Sequence, residues 1–533
     1  MLFQGSTPSL DAASVSIPYN LGGEAVTERI DVPMRAFAGG YYANLLAMYK
    51  YLGIPFRPQR FLFTFSTTKY TESDESTISG GSLKQGGFSR IRTGGETPYF
   101  IHSSNNHRFP PLRPDGRALF DYLSEVIYLW FAYTYFTFCC FWFPPEKKTF
   151  TQPSVAGSLS KPTGRTESLR EYLKRIRLPK HFVRHYLLPL ISSVTTCPHE
   201  TLLDFPAADI TGYKLHMHKQ PHYVVEGGVC QIQQKLLEGI KIGTGRKVLK
   251  LDRVPGRKKG ERHLSVKWEE AGIVSEKYFD HVVVAVNPYA VGKIYPRLRN
   301  QMAKIPCCEA EVVLHYDERV IEPAFDLSRT LPHISRGFTE KQMTTPYPST
   351  RLNQLLRYRV KKFLADSDAQ IIHLRTTSHP SNMVFHKSLT PWTLLNIGTS
   401  SPSAVTESTH IHPPGVLLTT GSIFPIKEET VVEANRFVRV LRTPESRDVV
   451  EVLFRGEHVS LRKSYEDDVR ESEKEVGKEE EEWRNGDDGV WLVGGWCWDG
   501  MVLLEGCVRS AVRVSKELGV EVPWKVENSW GDE

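Results

Sequence analysis

Residues 490–524 read VWLVGGWCWDGMVLLEGCVRSAVRVSKELGVEVPW, and this stretch decides how the chain is organised. Residues 490–493 are a short apolar strand. Gly494 and Gly495 interrupt it and Gly500 follows. Leu504, Val508, Ala511, Val512, Ser515 and Leu518 then recur at helical intervals. A strand, a glycine-rich turn and a helix start leave backbone N–H groups without helical partners and place the positive end of a helix dipole at one point. That point suits an electron-rich carbonyl or a phosphate. Gly506, inside the helix, permits a close neighbouring backbone or ring. A plain strand–turn–helix shows the same pattern, so the ligand reading and the packing reading both stand on these residues alone.

Three segments farther from this stretch share its character. Residues 222–251 (HYVVEGGVCQIQQKLLEGIKIGTGRKVLKL) read strand, Gly227-Gly228, short helix, strand, and residues 279–288 (FDHVVVAVNP) read as an apolar strand reaching Ala285. Residues 34–56 (MRAFAGGYYANLLAMYKYLGIPF), after RIDVP at 29–33, read as a sheet exit followed by a helix over 41–51 that Leu52-Gly53 ends. A second helix is expected over 166–176 with Thr166 as its N-cap. Further strands are expected at 61–67, 264–268, 281–286, 311–316, 370–374 and 416–419. Residues 71–95 and 150–166 have loop composition, and the acidic run 466–489 cannot bury a face, so it is a solvated helix or disordered insertion. No internal repeat is visible. Mixed helix and strand signals point to an α/β nucleotide domain joined to an α+β domain.

The chain has 533 residues, 40% hydrophobic and 11% aromatic, with a formal net charge of +6. That is enough apolar material for two or three domains. Basic residues cluster only between Arg246 and Arg262, beside Pro255, Gly256 and Gly260 and with almost no aromatics. This reads as a solvated hairpin tip, and no nucleic-acid partner is expected. The eight cysteines form neither a CxxC pattern nor a disulfide ladder, which fits a reducing, intracellular compartment. The first residues lack the basic and apolar regions of a secretory signal.

Residues 126–143 (VIYLWFAYTYFTFCCFWF) carry no charge, and Lys147 and Lys148 follow them. A buried or interfacial helix and a membrane span at the lower length limit are both open, so the location is cytoplasmic or membrane-associated. The run at 195–200 (TTCPHE) reads as a loop or helix start rather than a catalytic set. His216, His218 and His222 have no Cys or carboxylate at ligand spacing, so no metal is expected.

Residues 490–524 resemble the C-terminal flavin motif of the amine-oxidase and carotenoid-desaturase superfamily, and within it a fungal group of FAD-dependent oxidoreductases. The resemblance implies FAD as cofactor. It gives Gly494, Gly495, Gly500, Met501 and Val502 a role at the pyrimidine side of the isoalloxazine ring, with the helix start facing N1 and O2. Trp496 and Trp498 would flank the ring or pack. Residues 222–251 are similar to the family's central unit, where Val248 would contact adenine. Residues 279–288 are similar to its returning strand, with Ala285 at the turn towards the pyrophosphate. Leu2 and Phe3 resemble the end of the family's second strand, which puts Gln4 where the family has the glutamate that binds the ribose hydroxyls.

The strand and GxGxxG turn that precede this position in the family are not found before Leu2, and GIKIGTG at 239–245 lacks their spacing. The implied architecture is a Rossmann-like FAD-binding domain, incomplete at its N-terminus, built from 1–50, 222–296 and 415–533. An α+β substrate domain is built from 51–221 and 297–414 and contains the apolar helix 126–143. The implied function is hydride removal from an amine or an apolar small molecule, one open class being lipophilic. No catalytic residue is assigned. The alternative is a truncated, non-catalytic remnant that binds no flavin, and little FAD is expected to copurify with the protein made from Met1.

Overall fold

The computed structural model describes residues 2–3, 13–21, 24–72, 90–93, 99–103, 111, 113, 117–150, 163–254, 264–321, 370–377, 404–412, 415–423, 425–454 and 483–526. Gln4 and the acidic run 466–482 lie outside them.

The largest element is an eight-stranded mixed sheet. Its order is Val431–Val440, Cys307–His315, Leu417–Thr420, Thr406–Ile411, Gln370–Thr377, Phe61–Glu72 and Arg90–Thr93, with Phe100–Ser103 also paired to Phe61–Glu72. Phe61–Glu72 and Gln370–Thr377 run parallel, with Phe63 opposite Ile372, and the other neighbours are antiparallel. The strands expected at 61–67, 311–316, 370–374 and 416–419 are all present here.

Nearly every residue of Gln370–Thr377 and Thr406–Ile411 is buried, so each polar side chain there needs a partner. Thr64 Oγ1 lies 2.6 Å from His373 Nδ1, and Ser66 Oγ 3.2 Å from His373 Nε2. Thr409 Oγ1 lies 3.0 Å from Thr419 Oγ1. Arg375 Nη1 donates to Glu407 Oε1 at 3.0 Å, both side chains being fully buried. At the other end of the same face Leu62, Ile101, Ile371, Ile411 and Leu417 form an apolar cluster.

Helix Leu188–Thr195 packs against Gln370–Thr377 and Thr406–Ile411. It continues a π-helical turn at Val183–Leu187 and stops where Thr196 adopts φ 52°. The helix expected from Thr166 begins later, as Leu169–Arg175. Ser168 accepts from the Glu171 N–H, and Glu171 accepts in return from the Ser168 N–H. That reciprocal pair makes Ser168 the cap, while Thr166 closes the strand before it. The apolar helix covers Leu119–Trp142 rather than 126–143. Among the described residues no helix is long and apolar enough to cross a membrane.

The segments expected to build the Rossmann-like FAD-binding domain form four small sheets rather than a single one. Val282–Val284 pairs in parallel with Val490–Leu492, and Leu2–Phe3 in parallel with Ile242–Gly243. His222–Val225 lies between Ala36–Ala38 and Phe56–Pro58. Lys247–Arg253, Leu264–Glu270 and Ile273–Phe279 form an antiparallel meander, which supplies the expected hairpin at the basic run; its tip, 255–263, lies outside the described residues. Packing rather than strand pairing joins two of these sheets. Leu251, Leu264 and Val266 of the meander share an apolar cluster with Val284, Val490 and Leu492. The hairpin of Ala13–Leu21 with Glu24–Val32 was not expected; it buries Ile17, Ile30 and Val32 against Val312 and Leu314 of the large sheet.

Candidate functional site

Strand Val490–Leu492 and strand Val282–Val284 end side by side. Val284 is in register with Leu492, and the Val493 N–H donates to Val284 O at 3.1 Å. Continuous apolar sequence suits this pair because Val284, Val490 and Leu492 all face a packed cluster. Gly494 stops the strand with φ 148°, a conformation that favours glycine. Its N–H donates to Ser510 Oγ at 3.0 Å, tying the start of the turn to the helix that follows. The Trp496 indole N–H donates to Val286 O at 3.1 Å and closes the turn over the other strand's end. Ala285, Gly494 and Gly495 therefore meet at the carboxyl ends of two parallel strands, with Ala285 exposed and both glycines half-buried.

The rest of the turn is organised around two buried groups. The Trp498 indole N–H donates to Met501 O at 3.0 Å, and the ring occupies the space beside both Gly500 and Gly506. A Cβ at Gly500 would fall on the six-membered ring of Trp498. One at Gly506 would fall on its pyrrole edge and lie 2.7 Å from Gly495 O. Gly500 does not have a positive φ, so its requirement for glycine is one of space.

The second buried group is Arg442. Its Nη2 lies 3.2, 2.9 and 3.1 Å from the carbonyl oxygens of Trp496, Trp498 and Gly500. Its Nε is 3.6 Å from Asp209 Oδ2, and Arg447 donates to Asp209 Oδ1. Burial pushes the Asp209 carboxyl up, against the pull of Arg447 and Arg442. One guanidinium thus holds three carbonyls of the turn and is itself placed by a carboxylate on helix Ala207–Met217.

Helix Leu504–Glu517 begins at the end of this turn. Glu505, in its first turn, is fully buried and reaches the start of helix Ala43–Tyr51. It accepts from the Asn44 N–H (3.2 Å), Asn44 Nδ2 (2.9 Å) and the Leu45 N–H (3.0 Å). Burial raises its pKa and these donors lower it.

Of the candidate residues, Ala285, Gly494 and Gly495 are adjacent, and Gly500, Met501 and Val502 continue the same turn, with Gly500 and Met501 buried and Val502 half-buried. Val248 pairs with Trp268 in the meander and packs against the cluster that holds Val284 and Leu492, as Val502 also does. Gln4 is outside the described residues. Arg442, Asp209 and Glu505 were not singled out from sequence. Glu505 carried a usable signal, an acid in a helix's first turn beside a glycine. Arg442 carried none, because the carbonyls it holds lie 54 to 58 residues away and Asp209 farther still.

At 195–200, Thr195 Oγ1 lies 3.2 Å from Cys197 Sγ, and burial pushes that thiol up to about 11. His199 starts a short helix with Nε2 2.8 Å from Thr406 Oγ1. This is the expected helix start.

No family model matches the chain, and no curated protein matches it. Among solved structures it is similar to cyclohexylamine oxidase from Brevibacterium oxydans IH-35A. Identity is 10% and the TM-score 0.41, over 97% of this chain and 93% of that one. A likeness at this level decides nothing about chemistry, which rests on the side chains and turn described above.

Proposed function

We propose that the chain is an FAD-dependent oxidoreductase of the amine-oxidase type, acting on an amine or an apolar small molecule. The observation that carries this is the meeting of Ala285, Gly494 and Gly495 at the carboxyl ends of two parallel strands, ahead of a helix start. In open α/β arrangements that edge is where a nucleotide cofactor lies. The residues fit a planar ring at this edge. Gly494 and Gly495 present backbone without side chains, and Val502 stands half-buried at the other end of the turn.

Gly500 and Met501 lie one layer further in and shape the edge through Trp498 and Arg442. When bound, the flavin supplies two-electron acceptance from a C–H bond. The chain's own contribution is to hold the turn rigid through Arg442, place helix N–H groups near the ring, and keep water out with Trp496 and Trp498.

The test is anaerobic mixing of FAD-loaded protein with primary amines and with apolar alkenes, following the flavin absorbance. Bleaching by one class identifies the substrate chemistry, and no bleaching by any member of either class counts against the oxidoreductase reading.

A second reading is favoured by one observation, the Trp498 ring filling the space beside Gly500 and Gly506. On that reading the glycines serve packing alone, and the chain is a non-catalytic relative that binds no flavin.

A further inference from the structure

Helix Leu119–Trp142 is 24 residues long and, among the described residues, is held by one side. Tyr122, Leu129, Ala132, Phe136, Cys139 and Cys140 are buried beneath it. Phe120, Ile127, Phe131, Phe138 and Trp142 follow each other at seven- and four-residue steps, which places them on the opposite side. All five are exposed, Phe120 at 79% and Trp142 at 71%. Trp130 and Phe141 widen the stripe, and from residue 126 to 142 the helix carries no charge. A stripe of large aromatics over a helix of about 36 Å is far more than scattered surface apolarity.

Both flanks of the stripe are basic. On one, Tyr135 Oη donates to Ile176 O at 2.7 Å and the Phe182 N–H donates to Tyr128 Oη at 3.1 Å. These bonds align residues 174–184 with the helix, and Lys174, Arg177, Lys180 and Arg184 there are exposed. On the other flank Lys214 Nζ sits 4.2 Å from the centre of the Tyr133 ring and bonds its hydroxyl. The His218 ring is 5.6 Å from Phe141, and Lys219 beside it is exposed.

We propose that this face docks on an anionic lipid bilayer, the helix lying in the plane of the interface. Packing along the buried side prevents the helix from crossing. Exposed Trp and Phe are suited to the headgroup and upper acyl region, and basic flanks add attraction to anionic headgroups. A second copy of the chain is a poorer occupant, because pairing two such stripes brings basic flank against basic flank. The inference does not depend on flavin binding.

The test is flotation of the full chain with phosphatidylcholine vesicles, with and without phosphatidylserine, at low and high salt. Binding is expected to require phosphatidylserine and to weaken with salt. The exposed pair Phe131→Ser with Trp142→Ser, and separately Lys180→Glu with Arg184→Glu, should each lower the bound fraction by about tenfold or more. Unchanged circular dichroism establishes that both variants fold. No binding by the unsubstituted chain to phosphatidylserine vesicles would overturn the proposal. Binding that survives the aromatic substitutions would overturn it too, as would a solution dimer that those substitutions dissolve without any vesicle binding.

Discussion

Asn44 and Glu505, 461 positions apart in sequence, are joined by a buried hydrogen bond of 2.9 Å from Nδ2 to Oε1. With the Asn44 and Leu45 N–H groups on the same carboxylate, the start of one helix is capped by a side chain from the start of another. This contact fixes the C-terminal helix, and so the glycine turn before it, against the front of the chain. Glu505→Ala leaves three buried donors without that acceptor and should cost about 3 kcal/mol. Glu505→Gln keeps one acceptor oxygen and should cost less. Urea unfolding of the two variants checks the order, and equal losses would contradict it.

Gly500 is predicted to be small because of Trp498. Gly500→Ala should destabilise by about 1–3 kcal/mol through overpacking. In a Trp498→Leu background the ring that the new methyl meets is gone, so the same substitution should cost close to nothing. A double-mutant cycle in denaturant measures this, and a cost unchanged by Trp498→Leu would mean that the strain lies elsewhere.

Arg442→Met removes the group shared by the carbonyls of Trp496, Trp498 and Gly500 and leaves Asp209 with Arg447 alone. A loss of about 3–5 kcal/mol is expected, as for a buried ion pair broken on one side. Changing both members, Arg442→Met with Asp209→Leu, should recover part of the loss. Thermal unfolding of the single and double variants decides it, and a double variant worse than the sum of the singles would contradict the pairing.

Stability should fall in mild acid. Burial lowers the pKa of His199, His222 and His315 from 6.5 to about 4, and that of His410 to about 3. A group whose folded pKa is depressed contributes its stability above the unfolded pKa. That stability is lost as pH falls through the folded value, here from about 6.5 down towards 4. Each of the buried rings of His199, His315 and His410 is worth on the order of 1–3 kcal/mol across that window. Unfolding midpoints measured between neutral pH and pH about 4 should drop steeply, and His199→Gln should flatten the slope. A flat profile would mean that these rings take up protons alike in the folded and the unfolded chain.

Strands and helices with a strong local period were legible in the sequence. His222–Val225, Gln370–Thr377 and Ala43–Tyr51 lie where their apolar spacing puts them. The hairpin of Ala13–Leu21 with Glu24–Val32 was equally legible, since Val15, Ile17, Val26, Ile30 and Val32 alternate around Gly22-Gly23. How the small sheets associate was not legible. Three-residue pairings such as Val282–Val284 with Val490–Leu492 carry no register signal of their own, and the apolar cluster beneath them decides their place. At the site, glycine spacing located the turn. The residues that hold it, Arg442 and Asp209, lie far apart in the sequence and become informative only when the fold buries them together.

The most direct test of the flavin assignment is a difference absorption spectrum during titration of the purified chain with FAD, alongside a Gly495→Val variant. Gly495 lies at the edge where the ring would lie, and a Cβ there would stand 3.0 Å from Leu503 O and 3.5 Å from Cys507 Sγ, so a branched side chain must displace the backbone that would meet the ring. The account predicts that the chain takes up FAD from solution. On titration, the visible flavin bands should be perturbed, saturating at a single flavin per chain, and the variant should show a much smaller perturbation at matched concentration. A spectrum that stays the sum of free FAD and protein throughout the titration would contradict it, and would leave the glycines of the turn to Trp498.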